Sequence, residues 1–109
     1  MKIESIQCHQ LLGATVDGGW PEGHEPQDDL HTLVEVHTDE GLSGVGSVFT
    51  GSALTQAGVD FLKPIWKGAA ANEPERLSEF MRQSSFWQGR GGTVEHVISG
   101  IDIALWDLF

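Results

Sequence analysis

The chain has 109 residues, 39% of them hydrophobic, which is enough for one domain with a modest core. Its formal charge of −10, with six Lys and Arg scattered along the chain, argues against a nucleic-acid partner and against an anionic membrane surface. Cys8 is the only cysteine, so no intramolecular disulfide can form, and a reducing, cytoplasmic setting is expected. The N-terminal residues alternate rather than forming an apolar leader, and no stretch of about 18 apolar residues offers a membrane span.

Residues 2–12 alternate loosely through Ile3, Ile6, Cys8 and Leu11, predicting a first strand with an irregularity near Ser5. Residues 13–29 change character: Gly13, Gly18, Gly19, Gly23, Pro21 and Pro26 break the pattern, and Asp17, Glu22, Glu25, Asp28 and Asp29 occur with no Lys or Arg. This is a long acidic loop, of the kind that is functional or disordered in a small domain. Residues 30–38 alternate cleanly, with Leu30, Thr32, Val34 and Val36 on one parity and His31, Leu33, Glu35 and His37 on the other. Thr38-Asp39-Glu40-Gly41 is a turn signal, and residues 42–49 resume as a strand through Leu42, Val45 and Val48, with Gly44 and Gly46 inside it. The first half is thus a three-stranded antiparallel meander.

The period then becomes helical. Gly51-Ser52 offers an N-cap, followed by Leu54, Gly58, Phe61, Leu62 and Ile65 on one stripe, with Pro64 expected to kink or stop the helix. Asn72 is a candidate cap for a second helix that has Pro74 in its first turn and Leu77, Phe80 and Met81 as its apolar stripe. Gln88-Gly-Arg-Gly-Gly92 breaks it. Thr93 is a candidate cap for a third helix carrying Val94, Val97, Ile98, Ile101, Leu105 and Leu108 on one face. No Gly, Asn or Pro closes this last pattern, and Asp107 sits where the helix dipole disfavours an acid. The expectation is a chain cut from a longer protein.

Four groups could carry chemistry. His24, Asp28, Asp29 and His31 could be a metal cluster, but their spacing fits no tight ligand motif, and solvated acids are the ordinary outcome of such a loop. His37, Asp39 and Glu40 fit an exposed hairpin end better than a catalytic dyad. Gly89-Arg90-Gly91-Gly92 before a helix resembles a phosphate cradle, yet it lacks the strand and Lys of a P-loop and fits a helix stop and restart. Asp102, beside the apolar stripe, either bonds a donor in a neighbouring segment or faces solvent. Cys8, on the apolar parity, reads as core packing. No catalytic residue and no metal ligand set emerges.

Three segments resemble the N-terminal capping domain of the enolase superfamily, in its mandelate racemase/muconate lactonizing enzyme branch. They are Ile3 to Leu11, Leu33 to Gly46 with its Thr38-Asp39-Glu40-Gly41 turn and Gly44-x-Gly46, and Gly100-Ile-Asp-Ile-Ala-Leu-Trp-Asp107. The resemblance implies an α+β fold, a three-stranded antiparallel meander followed by three helices, with residues 1–109 forming one capping domain. It also implies a catalytic (β/α) barrel absent from this chain, which would hold Mg²⁺ and the acid–base residues that abstract the proton α to a substrate carboxylate. The parent would be a lyase or isomerase, most readily an acid-sugar dehydratase or racemase, cytoplasmic and homo-oligomeric. The isolated chain would be inactive, with its partners a small carboxylate substrate, an acid sugar for choice, and its own barrel. This chain would supply lid loops: residues 14–29 and Phe49 to Thr55, with Trp20, His24, Phe49 and Thr50 as the side chains nearest substrate. Two departures stand out. Ser47 occupies a position where the family often has Glu, and the first lid is acidic although the substrates are anions, so its charge is expected to point outward. The alternative function is a non-catalytic, stand-alone interaction module acting through an exposed helix face.

Overall fold

In the computed structural model, which describes residues 1–11, 31–88 and 91–109, three strands precede three helices. β1 (Ile3–Leu11), β2 (His31–Thr38) and β3 (Ser43–Val48) form an antiparallel sheet in the order β1-β2-β3. The register shifts between Ile3 and Ser5, the irregularity expected there, and then runs unbroken from Ser5↔His37 to Leu11↔His31. The hairpin between β2 and β3 closes with Thr38 N–H on the Leu42 carbonyl at 3.0 Å, and Gly41 takes φ +80°. That region of φ is strained for a side chain and free for glycine.

The alternation in β2 sets the layers. Thr32, Val34, Val36 and Thr38 are buried toward the helices, while His31, Leu33, Glu35 and His37 lie on the outer face. α1 (Ser52–Trp66), α2 (Pro74–Ser84) and α3 (Thr93–Asp107) cover the inner face, with a 3-10 turn at Phe86–Gln88. The core joins Ile3, Ile6, Val34, Val36 and Val48 of the sheet to Val59, Leu62, Trp66, Leu77, Met81, Val97, Ile98, Ile101 and Leu105 of the helices. Cys8 packs partly buried against it, and burial raises its thiol pKa, with Asp60 adding to the effect.

Several sequence expectations give way. Leu54 and Phe61 are about half exposed, and the buried stripe of α1 is Thr55, Gly58, Val59, Leu62 and Trp66. The buried stripe ends in Trp66, whose indole N–H donates to the Val59 carbonyl at 2.9 Å. Pro64 does not stop α1, which continues to Trp66, since one proline near a helix end deletes only a late hydrogen bond. In α2, Phe80 is exposed and Ser78 takes the buried place beside Leu77 and Met81. Glu73 rather than Asn72 occupies the N-cap, and Gly92 rather than Thr93 precedes α3; neither cap makes a side-chain hydrogen bond. Leu42 precedes β3 and is exposed, as is Val45 within it, and the inward positions of β3 are Gly44, Gly46 and Val48.

The reason for those glycines is close approach. A Cβ on Gly44 would lie 2.0 Å from the Ala104 carbonyl oxygen, and one on Gly46 would lie 2.1 Å from that of Gly100. A Cβ on Gly100 would in turn meet Val48 Cγ2 at 2.3 Å. α3 therefore lies directly on the backbone of the edge strand. Asp107 completes the seam: its Oδ2 accepts the outward Val45 N–H at 2.9 Å, so the acid placed against the helix dipole satisfies an edge-strand donor. Asp102 bonds a neighbouring segment, accepting the Ser78 hydroxyl at 2.7 Å and tying α2 to α3. Arg82 Nε reaches Glu95 Oε1 at 2.8 Å across the same pair of helices.

The connector 67–71 runs beside β1, with Gly68 N–H on the Ile3 carbonyl and Ile3 N–H on the Ala69 carbonyl, both at 2.9 Å. No helix among the described residues is long and apolar enough to cross a membrane.

Candidate functional site

Antiparallel pairing brings two connections to one end of the sheet. β1 ends at Leu11 opposite His31, where β2 begins, and Thr32 lies opposite Val48, where β3 ends. The segment joining β1 to β2 and the turn joining β3 to α1 are therefore anchored side by side. Two of the expected lid residues, Trp20 and His24, lie outside the described residues, as do His24, Asp28 and Asp29 of the candidate metal cluster. The other two, Phe49 and Thr50, stand in the β3–α1 turn.

That turn is clamped from three elements. The Thr50 carbonyl accepts the Thr32 hydroxyl from β2 at 2.8 Å and the Thr55 hydroxyl from α1 at 3.3 Å. Thr55 also reaches the Gly51 carbonyl at 2.9 Å. Both threonines are fully buried, and this is where their polar atoms are satisfied. The third element is α3: His96 Nδ1 lies 2.7 Å from Thr50 Oγ1. On the other side, the His31 ring meets Phe49 edge to face, with centroids 4.6 Å apart. Phe49, Thr50, His31 and His96 thus form one cluster drawn from β2, the β3–α1 turn and α3.

His31 and His96 were not named as lid residues from sequence. In sequence His31 belongs to the candidate metal cluster, and nothing local marks His96, which only the packing of α3 brings to the turn. Among the described residues no group of three or more His, Cys, Asp or Glu is arranged to hold a metal ion. Gly89 and Arg90 of the glycine-rich break lie outside the described residues, so the cradle reading is untouched by the geometry.

A second polar group lies on the outer sheet face. His9 Nε2 and His37 Nε2 approach the same Glu35 oxygen, at 3.2 and 2.9 Å. The His9 hydrogen bond is the largest influence, and with His37 it holds the Glu35 carboxyl below its usual pKa. A lowered folded-state pKa contributes stability that is present above the ordinary carboxylate range and is lost as pH falls through the lowered value. Glu35→Gln is accordingly expected to flatten the acid limb of the stability curve, read as the urea midpoint between roughly pH 2 and 6. An unchanged acid limb would show that the two imidazoles do not favour the ionised carboxylate. His37 does not pair with Asp39 or Glu40; Asp39 Oδ1 instead accepts the Lys2 N–H at 2.9 Å.

A three-stranded meander backed by three helices on one face is the architecture of the enolase-superfamily N-terminal domain. Residues 24–109 match the N-terminal domain of mandelate racemase/muconate lactonizing enzyme, and the chain belongs to that family. A D-galactonate dehydratase family member from Paenibacillus sp. (strain JDR-2) is 38% identical over 111 residues, covering 98% of this chain and 24% of that protein. The crystal structure of the 3,6-anhydro-D-galactonate cycloisomerase from Zobellia galactanivorans superposes with a TM-score of 0.79 at 28% identity, covering 99% of this chain and 28% of that one. A racemase from Streptomyces coelicolor A3(2) with bound magnesium gives a TM-score of 0.73 at 27% identity, over 97% of this chain and 31% of that one. The chain therefore spans about a quarter of the length of the curated relative it matches over nearly its whole extent.

Proposed function

We propose that this chain is the capping domain of a Mg²⁺-dependent acid-sugar dehydratase or racemase, and that it closes over substrate rather than reacting with it. The observation that carries this reading is the joint anchoring of both lid connections at one end of the sheet, around Phe49 and Thr50. The likeness to a member of the D-galactonate dehydratase family and to a 3,6-anhydro-D-galactonate cycloisomerase favours a polyhydroxylated carboxylate as substrate. The magnesium bound in the Streptomyces coelicolor racemase favours a divalent cation. On this reading the cation and the acid–base groups belong to a barrel domain beyond these residues. The part left to this chain is to exclude water and to select the carbon skeleton.

Ile103, Trp106 and Phe109 are about half exposed or more, and the last two rings stand 5.9 Å apart. They form an apolar surface at the end of α3 suited to docking the barrel. In the intact protein, turnover of a D-galactonate-type acid sugar is expected with Mg²⁺ and is lost with a chelator. Residues 1–109 alone are expected to be inactive. Turnover by the isolated chain, or neither dehydration nor racemisation by the intact protein on a panel of aldonates with Mg²⁺, would overturn the proposal.

A further inference from the structure

We propose that His96 is a specificity-determining residue whose Nε2 accepts a hydrogen bond from a hydroxyl group on the substrate's carbon chain. The inference rests on the reading of the chain as a capping domain and adds to it the chemistry of one contact.

The argument begins with the single proton of the Thr50 hydroxyl. Thr50 Oγ1 lies 2.8 Å from the Phe49 carbonyl and 2.7 Å from His96 Nδ1. A carbonyl can only accept, so the first contact takes the hydroxyl proton. The second then exists only if Nδ1 carries a proton and donates it to Thr50. One tautomer of the neutral ring satisfies both contacts, and it leaves a lone pair on Nε2. Nε2 has no partner among the described residues, and the His96 side chain is exposed beside the lid turn. A ring fixed through its inner nitrogen presents its outer nitrogen as a positioned acceptor.

An acceptor selects among groups. A substrate carboxylate has no proton to offer and would be repelled by the Nε2 lone pair. A hydroxyl can donate to it, so His96 reads the polyol portion of an acid sugar and not its acid end. The turn it reads from is itself immobilised through Thr32 and Thr55, the arrangement needed for a hydrogen bond to discriminate among substrates.

The test uses the intact protein carrying this domain, with an aldonate it turns over and a series of deoxy analogues each lacking one hydroxyl. His96→Ala is expected to raise KM for the aldonate about tenfold with kcat little changed, the scale of one lost hydrogen bond. For one of the deoxy analogues the same substitution should leave KM unaltered. His96→Gln, which keeps an acceptor near the Nε2 position, should recover part of the loss. Thr50→Val, which releases Nδ1, should weaken the aldonate selectively even where His96→Ala fails to fold. An equal change for aldonate and every analogue, or no change at all, overturns the assignment while the capping-domain reading stands. Failure of the intact protein to act on any aldonate with Mg²⁺ overturns that reading instead.

Discussion

Gly46→Ala is expected to destabilise the fold by about 3 kcal/mol, at the upper end of the ordinary cost of overpacking. The added methyl would stand 2.1 Å from the Gly100 carbonyl oxygen and 2.9 Å from the Ala104 nitrogen, both main-chain atoms of α3. No rotamer change relieves a contact with backbone, so the helix must lift from β3. That movement would also loosen Val48 and the Asp107–Val45 hydrogen bond. For a domain whose whole stability is of order 5–15 kcal/mol, such a loss is large and corresponds to a fall in Tm of about 10–20 °C. Gly100→Ala offers the contrast, since its new methyl meets a side-chain atom, Val48 Cγ2, at 2.3 Å. Val48→Ala in the same chain should recover part of the Gly100→Ala loss, and it should not rescue Gly46→Ala. Urea denaturation of the four variants measures both effects. A Gly46→Ala midpoint within error of the parent would show that α3 does not rest on the strand.

Ile101→Ala is expected to cost about 3–4 kcal/mol, whereas Ile103→Ala, two residues on, should cost less than about 1 kcal/mol in the isolated chain. Ile101 is fully buried between the sheet and the other helices, and removing three carbons there leaves a cavity that packed neighbours fill poorly. Ile103 is 49% exposed, on the side of α3 proposed to meet the barrel. In the intact protein Ile103→Ala should therefore cost more than it does in the isolated chain. Comparing the substitutions in both contexts measures what the proposed docking surface contributes. Equal losses for Ile101→Ala and Ile103→Ala in the isolated chain would contradict the buried face of α3.

The two predictions meet on one helix, and α3 was the most legible element of the sequence. Val97, Ile98, Ile101 and Leu105 repeat at three and four residues, and each is fully buried. The β2 alternation was equally plain, because a strand with one face on the core must alternate. Stripes with few apolar residues misled. In α1, Leu54 and Phe61 outweigh Thr55 on any hydrophobicity count, yet Thr55 is inside because its hydroxyl serves the Thr50 and Gly51 carbonyls. In α2, Phe80 is outside and Ser78 inside because Asp102 waits across the interface for a hydroxyl.

The candidate site was half legible. Phe49 and Thr50 are reached only through the resemblance; in the structure the buried Thr32 and Thr55 hold the Thr50 carbonyl. His96 was not reachable, because it is separated from Thr50 by 46 positions and by two helices. Nothing in its local sequence distinguishes it from any exposed histidine in a first helical turn.

By itself, the sequence determined the class of elements, their order and the family. These depend on periodicity and on glycine or turn residues acting over a few positions. The tertiary structure decided what the exceptions are for. Gly44 and Gly46 are contact surfaces for α3, Asp107 is the acceptor for an edge strand, and His96 Nδ1 is brought to the Thr50 hydroxyl. Each of these depends on distances between segments far apart in the chain, which hydrophobic burial fixes and local pattern does not record.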